Sequence, residues 1–497
     1  MVDLHALLRQ YWGYDAFRPK QENIIQSILN GHDVAAVMPT GAGKSLCYQF
    51  PAVVLDRTVV VISPLIALMR DQVAQLGEMG IRASALNSSI AMPDQRDVMQ
   101  AARAGDLRLL YLSPERLARQ DTIDWLRNVP KALFAIDEAH CISEWGHEFR
   151  PEYRELHKLR TAFPEVPLAA FTASATRRVR HDILSQLQLR EPRTFISSFF
   201  RPNLRYWVEE VDQKTQEKQL LKAVDATDGE VIVYCSTTAR VDQVEALLQS
   251  NGIPAAGYHG KMDADRRRRN QDSWMNGETR VMVGTIAFGM GINKASVRAV
   301  IHLSLPKSIE QYYQEAGRAG RDGEPADCVL LWQKRDTALL AHFIGEIQDE
   351  GEKQRAWQRY RAIRDFVAQG RCRHDTICRY FGETPKWQAC GACDICGFTP
   401  EWKTRARKTE TPHGVLHVPA PPAAPDQLLL AHLREWRRAE AKRAGMPAFV
   451  ILHDKSLEDL CRKRPKTLRE LRHVFGIGER KVETLGPSIL AALKEFR

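Results

Sequence analysis

Residues Met38-Pro39-Thr40-Gly41-Ala42-Gly43-Lys44-Ser45 join an apolar run, Val34–Val37, to a helical pattern. Glycines at such a strand-to-helix turn let backbone N–H groups wrap phosphate oxygens. Lys44 can place a point charge on the outer phosphates, and the Ser45 hydroxyl is a ligand for Mg²⁺. Thr40, Gly41, Gly43, Lys44 and Ser45 form the expected ATP cradle, a variant of the strict phosphate-loop pattern. Ninety-four residues after Gly43, the run Ala132–Ile136 leads into Asp137-Glu138-Ala139-His140. An acid at the end of a buried strand is placed to hold Mg²⁺ through its water shell, and the next carboxylate can orient and deprotonate a water. Adjacent carboxylates alone mean little; this interval is what one α/β lobe allows. A third segment, Gln311-Tyr312-Tyr313-Gln314-Glu315-Ala316-Gly317-Arg318-Ala319-Gly320-Arg321, puts two arginines three residues apart on one predicted helical face. Their expected role is an arginine finger, charge delivered to a γ-phosphate across a cleft. Standing alone, the segment would read as an exposed basic helix.

Two further groups carry chemistry. Five of the ten cysteines fall between Cys372 and Cys396. Cys390, Cys393 and Cys396 recur at every third position, and Cys372 or Cys378 could complete a set of four. Four thiolates suit tetrahedral Zn²⁺ with no open position, a structural site, and an iron–sulfur cluster is the alternative. Directly after the Asp137–His140 box comes Cys141-Ile142-Ser143-Glu144-Trp145-Gly146-His147-Glu148-Phe149-Arg150-Pro151. Its rings, if exposed, would stack on bases without regard to sequence; if buried, they would only pack.

The elements that must position these groups follow from the apolar pattern. Val34–Met38, Thr58–Ile62, Leu109–Leu112, Leu133–Ile136 and Leu168–Phe171 form one series of short runs. Val231–Tyr234, Arg280–Val283, Ala299–Leu303 and Asp327–Leu331 form a second. Continuous apolar runs between helical patterns read as buried parallel strands. Two series imply two α/β lobes, with a junction near Ser197–Leu204. Residues 337–370 read as charged helix. Five prolines between Pro412 and Pro425 mark residues 398–425 as a linker, about 30 Å long as a flexible coil. Residues 426–497 regain helical periodicity through Leu428, Leu429, Leu433, Trp436, Leu457, Leu460, Leu468 and Leu471.

Composition agrees with a folded chain of three or four domains: 497 residues, 44% hydrophobic and 27% charged. Of 71 basic and 61 acidic residues, 20 and 12 lie from Phe398 to Arg497, leaving a near-balanced 51 and 49 elsewhere. The basic C-terminal region suits a polyanion. No run of about 18 apolar residues is present, so no membrane span or membrane partner is expected. Asp3, His5 and Arg9 interrupt the apolar N-terminus, which lacks a signal-peptide core. An intracellular chain is expected, where crowded cysteines mean metal rather than disulfides.

Taken together, the phosphate loop, the Asp137–His140 box and the arginine segment resemble superfamily 2 helicases. The Cys141–Pro151 segment narrows the resemblance to the RecQ family, whose aromatic-rich loop couples DNA contact to hydrolysis. Tyr14-Asp15-Ala16-Phe17-Arg18-Pro19-Lys20-Gln21 resembles its adenine-reading motif. The resemblance implies that Gln21 pairs with adenine while Tyr14 and Arg18 sandwich the base. Ser63–Leu68 and Ser113–Leu117 resemble backbone-gripping motifs, Thr172–Ala175 the interlobe coupling motif, and Gly284–Asn293 a second-lobe DNA and nucleotide contact. The cysteine layout, with Tyr380-Phe381-Gly382-Glu383 between its parts, resembles the RecQ zinc-binding domain and favours Cys372 over Cys378. Residues 426–497 resemble the HRDC domain, whose Gly476-Ile477-Gly478 turn could meet a phosphate amid Arg462, Lys463, Arg464, Lys466, Arg469, Arg472, Arg480 and Lys481.

The fold this implies is two RecA-like parallel-sheet lobes (1–200 and 201–336), a small helical zinc-binding domain (337–397), a linker (398–425) and an all-helical HRDC-like domain (426–497). The implied activity is an ATP- and Mg²⁺-dependent 3′–5′ DNA helicase of repair and recombination. Lys44, Asp137, Glu138, Gln314, Arg318 and Arg321 would be catalytic, and Trp145, His147, Phe149 and Arg150 would touch DNA. Zn²⁺ would sit on Cys372, Cys390, Cys393 and Cys396. Partners would be single-stranded and forked or tailed duplex DNA, with a single-strand-binding protein as a further candidate, in a bacterial-type cytoplasm at the nucleoid. The family usually places a winged-helix domain of about a hundred residues between zinc and HRDC domains; here only residues 398–425 intervene. That departure keeps a second reading open, a DNA-stimulated ATPase that remodels or anneals strands without processive unwinding. An RNA substrate and a binding scaffold with a dead ATP site are further alternatives. Intact Lys44, Asp137, Glu138 and Arg321 argue against the last.

Overall fold

The computed structural model describes residues 2–87, 90–146, 148–289, 294–404, 426–444 and 448–496. Its first sheet comprises β1 (Val34–Val37), β2 (Thr58–Ile62), β3 (Ala83–Leu86), β4 (Leu109–Leu112), β5 (Lys131–Ile136), β6 (Leu168–Thr172) and β7 (Arg193–Ile196). These lie parallel in the order β3-β4-β2-β5-β6-β1-β7. Side chains alternate across the sheet. Val34, Ala36, Val59, Val61, Leu133 and Phe171 pack on one face, and Val37, Val60, Ile62, Phe134 and Ile136 on the other. Helices cover both faces, which is why these strands read as unbroken apolar runs.

The second sheet repeats the plan with β8 (Leu204–Glu210), β9 (Glu230–Tyr234), β10 (Ala255–Tyr258), β11 (Val281–Gly284), β12 (Val297–His302) and β13 (Ala326–Trp332). Its order is β10-β11-β9-β12-β13-β8, again all parallel. A parallel sheet brings all its carboxyl ends to one edge, where α/β proteins bind ligands. In the first lobe β6 lies between β1 and β5. The phosphate loop, the Asp137–His140 box and Thr172–Ala175 therefore emerge side by side.

Helices Glu350–Ala368 and Arg373–Tyr380 and the single turn Asp394–Cys396 build the cysteine domain. Tyr206 of β8 donates its N–H to Ala392 O at 3.0 Å, tying this domain to the second sheet. The stretch read as linker starts later than its composition implies. Glu401–Thr404 is helical, and Trp402 is 4% exposed, edge-on to Trp207 in the second lobe's core. Burial of this one large ring holds the turn in place. Residues 405–425 of the expected linker lie outside the described residues.

The C-terminal module is all-helical, as expected. Leu429, Leu433, Leu457, Leu460 and Leu471 are in its core, with Trp436 packed against it, while Leu428 and Leu468 face out. The module rests on both lobes. Arg438 Nε donates to Asn276 O at 2.9 Å and Ser296 Oγ to Asp454 Oδ2 at 2.9 Å on the second lobe. On the first, Gly476 N donates to Gly13 O at 3.2 Å.

Candidate nucleotide site and nucleic-acid interface

The turn after β1 holds Gly41 and Gly43 at φ +83° and +80°, a region that strains any residue with a Cβ. Lys44 opens the following helix, and its Nζ donates to Met38 O at 3.4 Å. Ser45 Oγ accepts from Gln72 Nε2 at 3.1 Å. At the end of β5, Asp137 is buried, and Tyr153 Oη donates to its carbonyl at 2.8 Å. Burial, reinforced by the neighbouring Glu138 carboxylate, pushes the Asp137 carboxyl up to about 7, with Lys44 pulling the other way. A buried acid beside a second acid and a lysine is a place that favours a divalent cation. Ser45 and Asp137 together are a chemically fitting donor set for Mg²⁺. Glu138 has φ +47° and donates its N–H to Asp137 Oδ1 at 3.0 Å. Left-handed backbone at a non-glycine residue costs energy and clusters at functional sites.

Glu138 continues into a polar chain. His140 Nδ1 lies 3.3 Å from Glu138 Oε2 and 2.9 Å from Thr172 Oγ1, and Thr172 Oγ1 donates to Ser174 O at 3.2 Å. Gln314 Nε2, from the second lobe, donates to Ser174 Oγ at 3.0 Å. His140 Nε2 also lies 3.7 Å from Glu148, inside the aromatic segment. Burial alone would lower the His140 pKa, but Cys141, Glu138 and Glu148 outweigh it and raise it well above the ordinary value. Acid, coupling motif, aromatic segment and opposite lobe thus lie along one run of polar and ion-pair contacts.

The arginines differ from the expectation. The helix Ile309–Ala316 stops before them, and both lie in the turns that follow, because Gly317 ends the helix and Gly320 takes φ +54°. Arg321 crosses the cleft: its Cγ would lie 3.2 Å from a Cβ on Gly41. Arg318 turns to its own lobe, where Nη1 donates to Gly289 O. Burial, then the charges of Arg318 and Arg201, destabilise the cationic form of Arg321 and lower its pKa to about 9. Guanidinium stays protonated in proteins, so the cluster favours an anionic ligand.

The adenine-reading segment is folded back on the phosphate loop. Gln21 Nε2 donates to Ala42 O at 3.2 Å and Gly43 O at 3.0 Å, Arg18 N donates to Gln21 Oε1 at 2.7 Å, and the Arg18 guanidinium donates to Gly41 O. Tyr14 is packed against a ring that sequence reasoning missed, Phe475 of the C-terminal module, at 5.0 Å. Nothing in the local pattern distinguishes Phe475 from a core residue. The neighbouring Gly476-Ile477-Gly478 turn faces the protein rather than an open anion site. Gly476 N is bonded to Gly13 O, and a Cβ on Gly478 would lie 2.6 Å from Gln10 O. Close backbone approach accounts for Gly478, and a φ of +72° for Gly476, where a Cβ would lie 2.8 Å from Ser456 Oγ.

In the aromatic segment Trp145 is partly buried, with the Arg178 guanidinium 3.2 Å from its ring centroid and Arg355 at 5.8 Å. Arg154 lies over Phe149 at 5.1 Å. Arg150 donates its N–H to Cys141 O at 2.9 Å and caps the helix Pro151–Arg154. These rings rest on guanidinium groups, the same stacking that a base would offer. His147 lies outside the described residues.

The thiols of Cys372, Cys390, Cys393 and Cys396 all lie within 4.8 Å of one another, with Cys393 Sγ 4.0 Å from Cys372 Sγ. Four sulfurs about 2.3 Å from a tetrahedral Zn²⁺ stand about 3.8 Å apart, so the group fits the ion. Cys378, the competing ligand, is buried in the helix Arg373–Tyr380 and outside this cluster. A buried pair, Arg373 Nη2 to Asp394 Oδ2 at 2.8 Å, braces the loop.

Comparison with known proteins agrees with this geometry. The DEAD/DEAH box helicase family matches residues 18–183, the helicase conserved C-terminal domain 215–323, the RecQ zinc-binding family 334–397 and the HRDC domain 426–493. The ATP-dependent DNA helicase RecQ of Haemophilus influenzae is 44% identical over 392 residues, 79% of this chain and 63% of that protein. Its namesake in Bacillus subtilis is 39% identical over 394 residues, 79% and 66%. A relative from Acanthamoeba polyphaga mimivirus is 37% identical and covered to 72% of its length by 79% of this chain. The chain thus spans a little under two thirds of the bacterial relatives. Among solved structures, Mycobacterium smegmatis helicase Lhr bound to ssDNA and AMP-PNP matches with TM-score 0.53 at 18% identity, over 71% of this chain and 56% of that one. Saccharomyces cerevisiae Dbp5 bound to RNA and ADP BeF3 matches with TM-score 0.53 at 16% identity, over 72% and 89%. At such identities these two speak for the fold alone. No helix among the described residues is long and apolar enough to cross a membrane. With two parallel-sheet lobes, four clustered thiols and four family matches in order, the chain belongs to the RecQ family of helicases.

Proposed function

We propose that this chain is an ATP-dependent DNA helicase that moves 3′ to 5′ on single-stranded DNA and separates duplex, in repair and recombination. The observation that carries the proposal is the meeting of Arg321 with Gly41 across the interlobe cleft. A triphosphate on the phosphate loop would lie against a cation from the other lobe. Lys44 takes the outer phosphates, Glu138 orients and deprotonates the attacking water, and Arg321 stabilises charge on the γ-phosphate. Mg²⁺, when bound, would neutralise phosphate charge from Ser45 and Asp137. Tyr14, Arg18 and Gln21 take the base once they leave their present partners. Gln314 reaches the first lobe at Ser174, and Arg318 joins Arg321 near the γ-phosphate once it leaves Gly289.

Trp145, His147, Phe149 and Arg150 are proposed to meet the DNA strand. The link His140–Glu148 supports this, because it ties that segment to the hydrolytic acid. Only differential affinity between open and closed lobes can convert hydrolysis into movement. The domain limits 1–200, 201–336, 337–397 and 426–497 are part of the proposal, with the linker of 398–425 shortened by the packed turn Glu401–Thr404. So are structural Zn²⁺ on the four thiols, a single-strand-binding protein partner, and a place at the bacterial nucleoid.

A second reading has one observation in its favour. Only 28 residues separate the zinc-binding and HRDC matches, 397 to 426. A motor without a strand-separating module there could hydrolyse ATP on DNA and remodel it without processive unwinding. A tailed-duplex assay decides. Release of the labelled strand from a 3′-tailed but not a 5′-tailed duplex supports the helicase. DNA-stimulated hydrolysis with no release supports the second reading.

A further inference from the structure

The segment joining the lobes contains Arg201, whose guanidinium spends its donors on one short turn. Nη1 donates to Gly317 O at 3.0 Å, and Nη2 to Ala319 O at 3.0 Å and Gly320 O at 2.7 Å. Nη1 also faces Thr40 O of the phosphate loop, across the cleft, at 3.5 Å. The three near carbonyls belong to the turn that carries Arg318 and Arg321. That turn lies beyond the helix Ile309–Ala316: the i→i−4 ladder stops at Gly317 N, which donates to Tyr313 O at 2.9 Å, and Arg318 N and Ala319 N make only i→i−3 bonds, to Glu315 O at 3.2 Å and Ala316 O at 3.1 Å. A planar fork can satisfy several acceptors at once; a lysine ammonium is a point charge on a flexible stem.

The other side of this joint is fixed by the cysteine domain. Glu383 accepts from Ser198 Oγ at 2.6 Å and from Phe199 N at 2.7 Å. Phe199 stacks on Phe381 with centroids 4.5 Å apart, and His374 Nε2 lies 3.1 Å from Arg201 O. Asn203 Nδ2 donates to Gly320 O at 2.8 Å and Glu324 O at 2.9 Å, a second hold on the far end of the turn. Arg201 is therefore the link between a braced joint and the turn that aims Arg321 at Gly41. A misplacement of about 1 Å in a catalytic group can cost about 10²-fold in rate.

We propose that Arg201 is a positioning residue for hydrolysis: it holds the Gly317–Gly320 carbonyls so that Arg321 meets the γ-phosphate when the lobes close. The assignment rests on the ATPase reading above. It makes the interlobe joint part of the catalytic geometry rather than a passive tether.

The test is a double-mutant cycle on the full chain, read as phosphate release with saturating single-stranded DNA. Arg201→Ala should lower kcat about 10²-fold and leave the ATP KM within about threefold, since no contact to nucleotide is removed. Arg201→Lys should recover less than about tenfold of that loss, because one ammonium cannot replace the fork. In an Arg321→Ala background, Arg201→Ala should cost almost nothing more, since the residue it aims is gone. Additive losses, or a near-normal kcat for Arg201→Ala, would overturn the assignment. Melting and zinc content check the fold, and the Lys variant closes the cycle if the Ala variant does not fold. A wild-type chain with no DNA-stimulated hydrolysis would sink the ATPase reading and this assignment together. An active wild type with additive losses sinks only the assignment.

Discussion

Gln314 donates its side-chain amide to Ser174 Oγ at 3.0 Å, a hydrogen bond across the cleft to the residue that also ends the polar run from Glu138. If this bond reports lobe closure to the hydrolytic site, its loss should show in the response to DNA. Gln314→Ala should leave ATP binding within about threefold and lower DNA-stimulated turnover about tenfold, the worth of one hydrogen bond of about 1.4 kcal/mol. Basal hydrolysis should change less. A variant with an unchanged ratio of stimulated to basal rate would show that the bond carries no coupling.

Glu138 holds a left-handed backbone conformation next to the buried Asp137. Glu138→Gln keeps size and hydrogen-bonding capacity and removes only the base. Turnover should fall about 10²–10⁴-fold while a fluorescent ATP analogue still binds. Loss of binding instead would assign the carboxylate to holding the nucleotide rather than activating water.

What the sequence could disclose followed burial. The nine apolar runs that read as strands are the nine interior strands of the two sheets. The four edge strands, β3, β7, β8 and β10, lack such a run. Arg193–Ile196 is largely exposed, Ala83–Leu86 only half-buried, Leu204–Glu210 alternates with charge, and Ala255–Tyr258 is built of small residues. Edge positions are covered on fewer sides and select weakly for large apolar side chains. The phosphate loop, the acidic box and the cysteine set were legible because local spacing fixes their geometry. Phe475 on Tyr14 and Arg201 on Gly317 were not, since each joins segments over a hundred residues apart through contacts that no local period records. The division between Arg321, which crosses to Gly41, and Arg318, which stays with Gly289, needed the turn at Gly317.

The Tyr14–Phe475 contact occupies a ring proposed to stack on adenine. An aromatic pair is worth about 0.5–1.5 kcal/mol beyond its buried area, which ATP must displace. Phe475→Ala should therefore lower the ATP KM about two- to tenfold with little change in kcat. An unchanged KM would mean that Tyr14 reaches the base without leaving Phe475.

Four thiols within 4.8 Å of one another need a cation to neutralise their thiolates. Cys393→Ser should lower bound zinc well below one equivalent and reduce the yield of folded protein, because the loop also pairs with β8 through Tyr206. Metal analysis showing a full equivalent of zinc in folded Cys393→Ser protein would contradict the ligand set.

The most direct test of a nucleotide clamped between lobes and answering to a strand is phosphate release by the full chain, with zinc and magnesium supplied, in the presence and absence of single-stranded DNA. The account predicts a rate that rises at least tenfold with DNA, and no measurable release from Lys44→Ala under either condition. A wild-type rate indifferent to added strands, or a Lys44→Ala rate close to it, would contradict the account.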